Sequence, residues 1–143
     1  MPRITDFPTR GRVVAKRDDG TIVFKPNGTN YELFLKPIAP FDGPLDEPID
    51  TLLRVSARKV YTVPSGGNFI SPIFGPPKIL QGRVRLIDGA YVVVHAGANF
   101  IVELPAGDSA IDLNSGAIVM GSMMNVVVLP GATLELVSAA VSG

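Results

Sequence analysis

The sequence predicts an all-β protein in which one order of strands occurs twice. The first observation behind this prediction is a repeat, because residues 11 to 35 and residues 82 to 104 both open with Gly-Arg-Val and continue as alternating apolar runs. The second is that an Asp-Gly pair interrupts each copy at the same place, which is a hairpin signal. The third is a Gly-x-Asn-aromatic turn that leads each copy into a third run.

The first half begins after an arm, residues 1 to 10, that contains two prolines and little periodicity. Residues 11 to 17 and 21 to 25 are the expected first and second strands on either side of Asp19-Gly20. Tyr31, Leu33 and Leu35 alternate and therefore define the inward face of a third strand. Four prolines between residues 36 and 50 then predict a long irregular loop.

Residues 51 to 63 are the expected fourth strand, in which Leu53, Val55 and Ala57 point inward. We predict a bulge or bend at Arg58-Lys59, after which Tyr61 and Val63 resume the inward set. Residues 68 to 74 make a fifth strand that Pro72 interrupts.

The second half repeats this order with shorter connections. Strands are expected at residues 83 to 87, 91 to 94 and 100 to 104, followed by a long fourth strand over residues 117 to 129 and a fifth over residues 133 to 137. A hairpin, a third strand, an interruption and a long fourth strand resemble the OB-type five-stranded barrel. The sequence thus predicts an N-terminal arm (1–10), two OB-like halves (11–74 and 82–143) and a Gly/Pro linker (75–81). One merged barrel or sandwich of about ten strands, with pseudo-twofold symmetry, is the alternative.

The composition excludes several classes of protein. The 143 residues contain no Cys and no Trp, so disulfides, thiolate zinc sites and cysteine nucleophiles are ruled out. The first residues lack a basic region followed by an apolar core, and no apolar run is long enough to cross a bilayer, so we expect a cytoplasmic protein without a membrane partner. The halves are nearly neutral, with ten Lys and Arg against eight Asp and Glu in residues 1 to 72, and three against five in residues 73 to 143.

Catalytic patterns are weak throughout. His95 is the single histidine and has no local partner to orient it as a base. Ser65 lacks both a nucleophile elbow and a second histidine. The acids of residues 42 to 50 lack the spacing of a calcium loop. We therefore expect no enzyme, no metal and no cofactor.

Two non-catalytic functions remain. The one that we favour is a homo-oligomeric structural or assembly module. Residues 116 to 143 carry one charge, and their fourth strand is apolar on both faces, so another part of this chain or a second copy must cover it. The expected subunit interface comprises Met120, Met123, Met124, Val126 and Val128.

The alternative is a single-stranded nucleic-acid-binding protein that uses the first half. In OB-type modules, cations follow the phosphates while aromatic side chains stack on bases. The expected binding residues are Arg12, Lys16, Arg54, Arg58, Lys59 and Tyr61, with Arg17, Lys25, Phe34 and Phe69 as further candidates. Arg12, Arg54 and Arg58 are expected to share one outward face.

Overall fold

The computed structural model describes residues 2–137 and is all-β, as the sequence predicts. No α-helix occurs among these residues, and two 3-10 turns, Ile4–Asp6 and Asp108–Ala110, are the helical elements they contain. Twelve strands form one mixed sheet. In chain order they are β1 (Thr9–Lys16), β2 (Ile22–Pro26), β3 (Glu32–Pro37), β4 (Ile49–Val63), β5 (Phe69–Ser71), β6 (Phe74–Gly75), β7 (Ile79–Asp88), β8 (Tyr91–His95), β9 (Asn99–Glu103), β10 (Ile111–Asp112), β11 (Met123–Val128) and β12 (Thr133–Leu136).

The strand pairings make two closed circuits that share β4. The first circuit runs β1, β2, β3, β12, β4 and back to β1, and its β3–β12 pairing is parallel. The second runs β7, β8, β9, β4, β11 and back to β7, and its β9–β4 pairing is parallel. The 15-residue β4 belongs to both circuits because one of its edges passes from β1 to β9 while the other passes from β12 to β11.

The β1–β2 and β7–β8 hairpins are built alike. Each has one register shift, between Val13 and Ala15 in the first and between Val84 and Leu86 in the second. The predicted turns are confirmed, since Gly20 and Gly89 lie between the paired strands with positive φ, where glycine is favoured.

Both hairpins also begin at a glycine that allows close strand contact. A Cβ at Gly11 would fall on the carbonyl oxygen of Lys25, and a Cβ at Gly82 would fall on that of His95. The glycine of each Gly-Arg-Val sequence is therefore required because only a residue without a side chain allows the neighbouring backbone to approach this closely.

One apolar core extends through both circuits. Its fully buried side chains include Phe24, Leu33, Leu53, Val60 and Phe100. Leu33 and Leu35 face this core as the alternation predicts.

The bulge in β4 lies at Arg58, where the register with β11 shifts, so this prediction is confirmed. After the bulge, however, the inward residues are Val60 and Thr62 rather than Tyr61 and Val63. The extra residue moves the alternation by one position, which buries Thr62. Its hydroxyl is satisfied because it donates to the carbonyl of Gly116 at 2.8 Å.

Two segments differ from the sequence-based expectation. Residues 68 to 74 do not complete the first circuit, since β5 pairs with β7 and β6 with β3, and β12 from the end of the chain takes that place. Pro72, which has no N–H to donate, separates β5 from β6. The long fourth strand of the second half is shorter than residues 117 to 129, because β11 starts at Met123 after a turn at Gly121 with φ of 87°.

The N-terminal arm crosses from the first circuit to the second. Ile4 and Phe7 pack on a small apolar cluster of Leu52, Val93 and Ile101. The arm is fixed there at Asn99, whose side-chain amide donates to the carbonyl of Pro8 and whose backbone N–H donates to the Thr9 hydroxyl. The arm therefore covers the outward face of β8 and β9.

Candidate functional site

The outward face of β1, β2 and β3 gathers cations around one aromatic ring. Arg12 lies opposite Lys25 on β1 and β2, and Phe34 lies opposite Val23 one row further along. Lys36 is the next outward residue of β3, two positions beyond Phe34. We call Arg12, Arg17, Lys25, Phe34, Lys36 and the adjoining Phe74 the basic face.

An Arg-aromatic stack forms the centre of the basic face. The guanidinium carbon of Arg17 lies 4.1 Å from the centroid of the Phe34 ring. Phe74 meets the same ring edge-on, with centroids 4.9 Å apart. Phe74 is 63% exposed although it is a large apolar side chain. The stack therefore presents an aromatic ring and a planar cation to solvent.

Hydrogen bonds in the β1–β2 turn hold Arg17 in this position. Its Nη1 donates to Asp19 Oδ2 and to the Thr21 hydroxyl, both at 3.0 Å. The same hydroxyl donates to Asp19 Oδ1 at 2.6 Å. This hydroxyl bond, together with the Thr21 N–H and the nearby guanidinium, lowers the pKa of Asp19 below its ordinary value. Asp19 is therefore ionised at neutral pH and orients Arg17.

Two shallow depressions flank the stack. One, of about 380 Å³, is lined by Arg17, Phe34 and Lys36 together with prolines of the 76–77 and 130 segments. The other, of about 320 Å³, is lined by Arg12 and Lys25, with Asp46 at its side. Lys25 and Lys36 are separated by four residue steps along β2, which is about 13 Å. The face thus offers cations at both ends of an aromatic centre.

The structure divides the nucleic-acid residues expected from the sequence into two groups. Arg12 belongs to the basic face, and Lys16 lies at the end of β1 with its Nζ 5.7 Å from the ring of Phe41. Arg54, Arg58, Lys59 and Tyr61 lie on β4.

Arg12, which was expected to share one outward face with Arg54 and Arg58, lies far from these two residues along the sheet. Arg10 pairs with Asp50, so Arg12 and Arg54 are separated by about six residue steps, or about 20 Å. Arg54 is bound to Glu135 at 3.0 Å. The separation of Arg12 from Arg54 follows from the register of β1 on β4, which no local sequence pattern specifies.

The remaining two β4 residues interact with each other. Lys59 places its Nζ 4.9 Å from the centroid of Tyr61, a cation–π contact within the same strand. Arg58 projects into solvent at the bulge.

The residues expected to form a subunit interface lie mostly inside the chain. Met124 and Val126 have no exposed surface, and Met123 and Val128 are buried as well. They are covered because β11 lies between β4 and β7. Met120 is the exception, at 60% exposed. The apolar strand therefore gives no reason of its own for a second copy to bind.

The structure gives His95 a partner that the sequence analysis did not find. Its Nδ1 lies 2.8 Å from Oδ1 of Asn99, four residues away across a turn. Asn99 also holds the N-terminal arm, so this contact joins the turn to the arm.

Neither Lys36 nor Phe74 was among the nucleic-acid-binding residues expected from the sequence. Lys36 precedes Pro37 and looked like the first residue of the proline-rich loop, whereas it is still in β3. The signal that pointed to it was the alternation of Glu32, Phe34 and Lys36 on the outward side. Among the side chains that the structure describes, no group of three or more from His, Cys, Asp or Glu is placed to hold a metal ion.

Comparison of this chain with known protein families, with curated proteins and with solved structures gives no match in any of the three. Within the described part of the chain, no helix has the length and apolar character needed to cross a membrane.

Proposed function

We propose that the chain is a non-catalytic binding protein made of two OB-like barrels and that its basic face binds single-stranded nucleic acid. The observation that carries this proposal is the Arg17–Phe34–Phe74 stack with Arg12, Lys25 and Lys36 around it. The face combines the two elements that such binding uses, cations for phosphates and planar groups for bases.

The barrel part of the proposal is supported by the pairings. Each circuit starts with a hairpin, adds a third strand and closes through a parallel pair, as expected for a five-stranded Greek-key barrel. The equivalent glycines and register shifts of the two hairpins support an internal repeat. In OB-type barrels the second and third strands and the turn between the first two are the binding region. The basic face lies at the same place in the first circuit.

Electrostatics define what this surface binds. Among the described residues, no carboxylate lies within salt-bridge distance of Arg12, Lys25 or Lys36, whereas Arg17 is paired with Asp19. Three cations for phosphates predict a slope of about −2 for log K against log salt on a single strand. Base stacking is expected on Phe74 and on the outer side of the Arg17 guanidinium, since Phe34 holds both.

The test is fluorescence anisotropy of labelled oligo(dT) and oligo(U) over a salt series, with the full chain. Phe74→Ala is expected to remove about 1–3 kcal/mol of binding free energy, and Lys36→Ala to reduce the salt slope by about 0.7. Arg58→Ala is the matched control, because Arg58 is an exposed cation on β4 outside the basic face. Equal losses in Lys36→Ala and Arg58→Ala, or salt-independent binding, would contradict the proposal.

Homo-oligomeric assembly remains a second proposed function, favoured by a different observation. Ile73 and Phe74 are adjacent and 64% and 63% exposed, and Met120 of the expected interface is also exposed. Light scattering after size exclusion gives the mass over a range of concentrations and salt. A mass above the monomer that is independent of salt and is lost in Ile73→Asp would support assembly, and a monomer at every concentration would exclude it.

A further inference from the structure

A second concave surface lies where the two circuits meet. Residues 53 to 56 of β4 pair with β9 on one side, and residues 53 and 54 also pair with β12 on the other, so their outward face forms the floor of a cleft between the circuits. The cleft has a volume of about 430 Å³, within the range of about 300–1,000 Å³ typical of small-molecule sites. It is a direct consequence of two circuits sharing one strand.

The floor of this cleft carries paired polar groups. Arg54 binds Glu135 with a 3.0 Å contact between Nη2 and Oε1. The Ser56 hydroxyl donates to Oε1 of Glu103 at 3.0 Å. Thr133, which pairs with Arg54 in the sheet, adds a second hydroxyl. These contacts fix the side chains while leaving capacity for further hydrogen bonds, because a guanidinium has five donors and a carboxylate accepts several.

The β8–β9 side of the cleft carries one aromatic and two aliphatic side chains. Tyr91 lies opposite Glu103 on β8 and is 40% exposed. Ile4 of the N-terminal arm and Ile101 of β9 are the aliphatic residues. The arm therefore does more than cover apolar residues, since it also contributes to the lining of the cleft.

We propose that this cleft binds a neutral oligosaccharide. An anionic ligand is disfavoured because Glu135 already neutralises Arg54 and Glu103 adds negative charge. A fully apolar ligand is disfavoured because it would leave the polar floor without hydrogen bonds to water. A sugar ring fits both the aromatic side chain and the polar floor, since its C–H face packs on Tyr91 while its hydroxyls bond to Glu103, Thr133 and Arg54.

This proposal is independent of nucleic-acid binding. The cleft lies between β12 and β9, whereas the basic face lies on β1, β2 and β3. The cleft and the depression beside Lys36 both border on Gly131, but their charged and aromatic side chains differ. Phe34→Ala is therefore expected to impair nucleic-acid binding without changing sugar binding.

The experiment is an NMR titration of the ¹⁵N-labelled full chain with cellohexaose, chitohexaose and maltohexaose, each added separately to millimolar concentration. Binding of at least one sugar is expected to shift the amide signals of Ser56, Tyr91, Glu103 and Thr133. Tyr91→Ala is expected to weaken that binding roughly tenfold, since the ring supplies the packing surface. Glu103→Gln keeps the size of the side chain and is expected to give a smaller loss, because hydrogen bonds to a charged acceptor are stronger.

Tyr61→Ala is the control, because Tyr61 is a tyrosine of β4 that lies outside the cleft. The unperturbed part of each variant's spectrum shows that the fold is kept. The absence of shifts with all three sugars overturns the proposal. Shifts confined to residues outside the cleft, or an unchanged affinity in Tyr91→Ala, overturn it equally.

Discussion

The β1–β3 and β7–β9 strands pair in similar registers, yet the N-terminal arm covers the outward face of the second set and not that of the first. Val23 pairs with Phe34 on the first face, and Val93 pairs with Ile101 on the second. The arm lies on Val93 and Ile101 through Ile4 and Phe7. On the first face, Phe34 instead contacts Arg17 and the exposed Phe74.

The residues around these pairs also differ, because lysines on the first face are replaced by a histidine and a glutamate on the second. Lys25 of the first face corresponds to His95 of the second, because each is opposite the arginine of its Gly-Arg-Val sequence. Lys36 corresponds to Glu103, two positions beyond the central apolar residue. One strand arrangement therefore supports a basic solvent-facing surface in one circuit and an arm-covered surface beside a polar cleft in the other. Surface chemistry and the path of the arm, more than the strand order, distinguish the two circuits.

The largest effect is expected from the glycines that the two hairpins share. Gly82→Ala places a Cβ on the carbonyl oxygen of His95, and Gly11→Ala places one on that of Lys25. Each substitution is expected to lower the free energy of unfolding by about 3 kcal/mol, because backbone must move to relieve the overlap. Urea denaturation measures this loss. Gly67→Ala is the control, since its Cβ would meet no atom within 4 Å and its φ is not positive. An equally large loss of stability in Gly67→Ala would contradict the claim that close backbone contact makes Gly11 and Gly82 necessary.

Removing the apolar contacts of the arm tests whether the arm distinguishes the two faces. The double substitution Ile4→Ala and Phe7→Ala is expected to lower the free energy of unfolding by about 2 kcal/mol, because both side chains are half-buried on Val93 and Ile101. Urea denaturation gives the loss, and amide exchange shows whether β8 and β9 become less protected while β2 and β3 do not. Thr5→Ala, an exposed substitution within the arm, is expected to change little. Unchanged protection of β8 and β9 in the double variant would show that the arm is dispensable.

Exchanging the charges of Lys36 and Glu103 tests whether charge alone distinguishes the two faces. Lys36→Glu gives the first face the residue that the second face has, and it is expected to weaken oligo(dT) binding about tenfold at low salt. Glu103→Lys, the reverse change on the second face, is expected to create no comparable binding because no exposed Arg-aromatic stack lies beside it. Anisotropy of the two variants in parallel measures both effects. A gain of binding in Glu103→Lys would mean that charge alone, and not the stack, determines the site.

The smallest effect concerns the turn that orients Arg17. Thr21→Val removes the hydroxyl bond that contributes most to lowering the pKa of Asp19, so this pKa is expected to rise toward its ordinary value of 3.8. Since the folded pKa lies below the unfolded one, the stabilisation from Asp19 is complete above the unfolded value and is lost as pH falls through the folded one. NMR titration of the Asp19 carboxyl measures the shift. Thr29→Val, a change in a turn distant from Asp19, serves as the control, and an unchanged pKa in Thr21→Val would remove this account of how Arg17 is held.

Several features of the fold were predictable because they depend on neighbouring residues. The all-β class, the two Asp-Gly hairpins and the bulge at Arg58 were all read from alternation and turn residues. The match between the third strands of the two copies was predicted less accurately. The repeat matched Tyr31 with Phe100, but the register matches Leu33 with Phe100, since these two residues pair with Phe24 and Val94. The first half has a longer turn at this point, which shifted the correspondence by two residues.

The candidate site was predictable only in part. The sequence identified Arg12, Lys25 and Phe34 as outward residues but combined Arg12 with cations of β4. It also placed β11 at a subunit surface, where the structure buries it within the chain. The cytoplasmic location stays a prediction, and light scattering and fluorescence anisotropy test the proposed assembly and the proposed binding of nucleic acid.

Most of the strands, both hairpin turns and much of the inward alternation could be predicted from the sequence, because strand pleat and turn conformation are local properties. The pairings of distant strands could not: β12 rather than residues 68 to 74 closes the first circuit, β4 belongs to both circuits, and the arm covers the second face. Each of these depends on which distant strands pair and in what register. Alternation leaves that choice open, since a strand with one apolar face can be buried by several partners, and only the complete set of pairings selects among them.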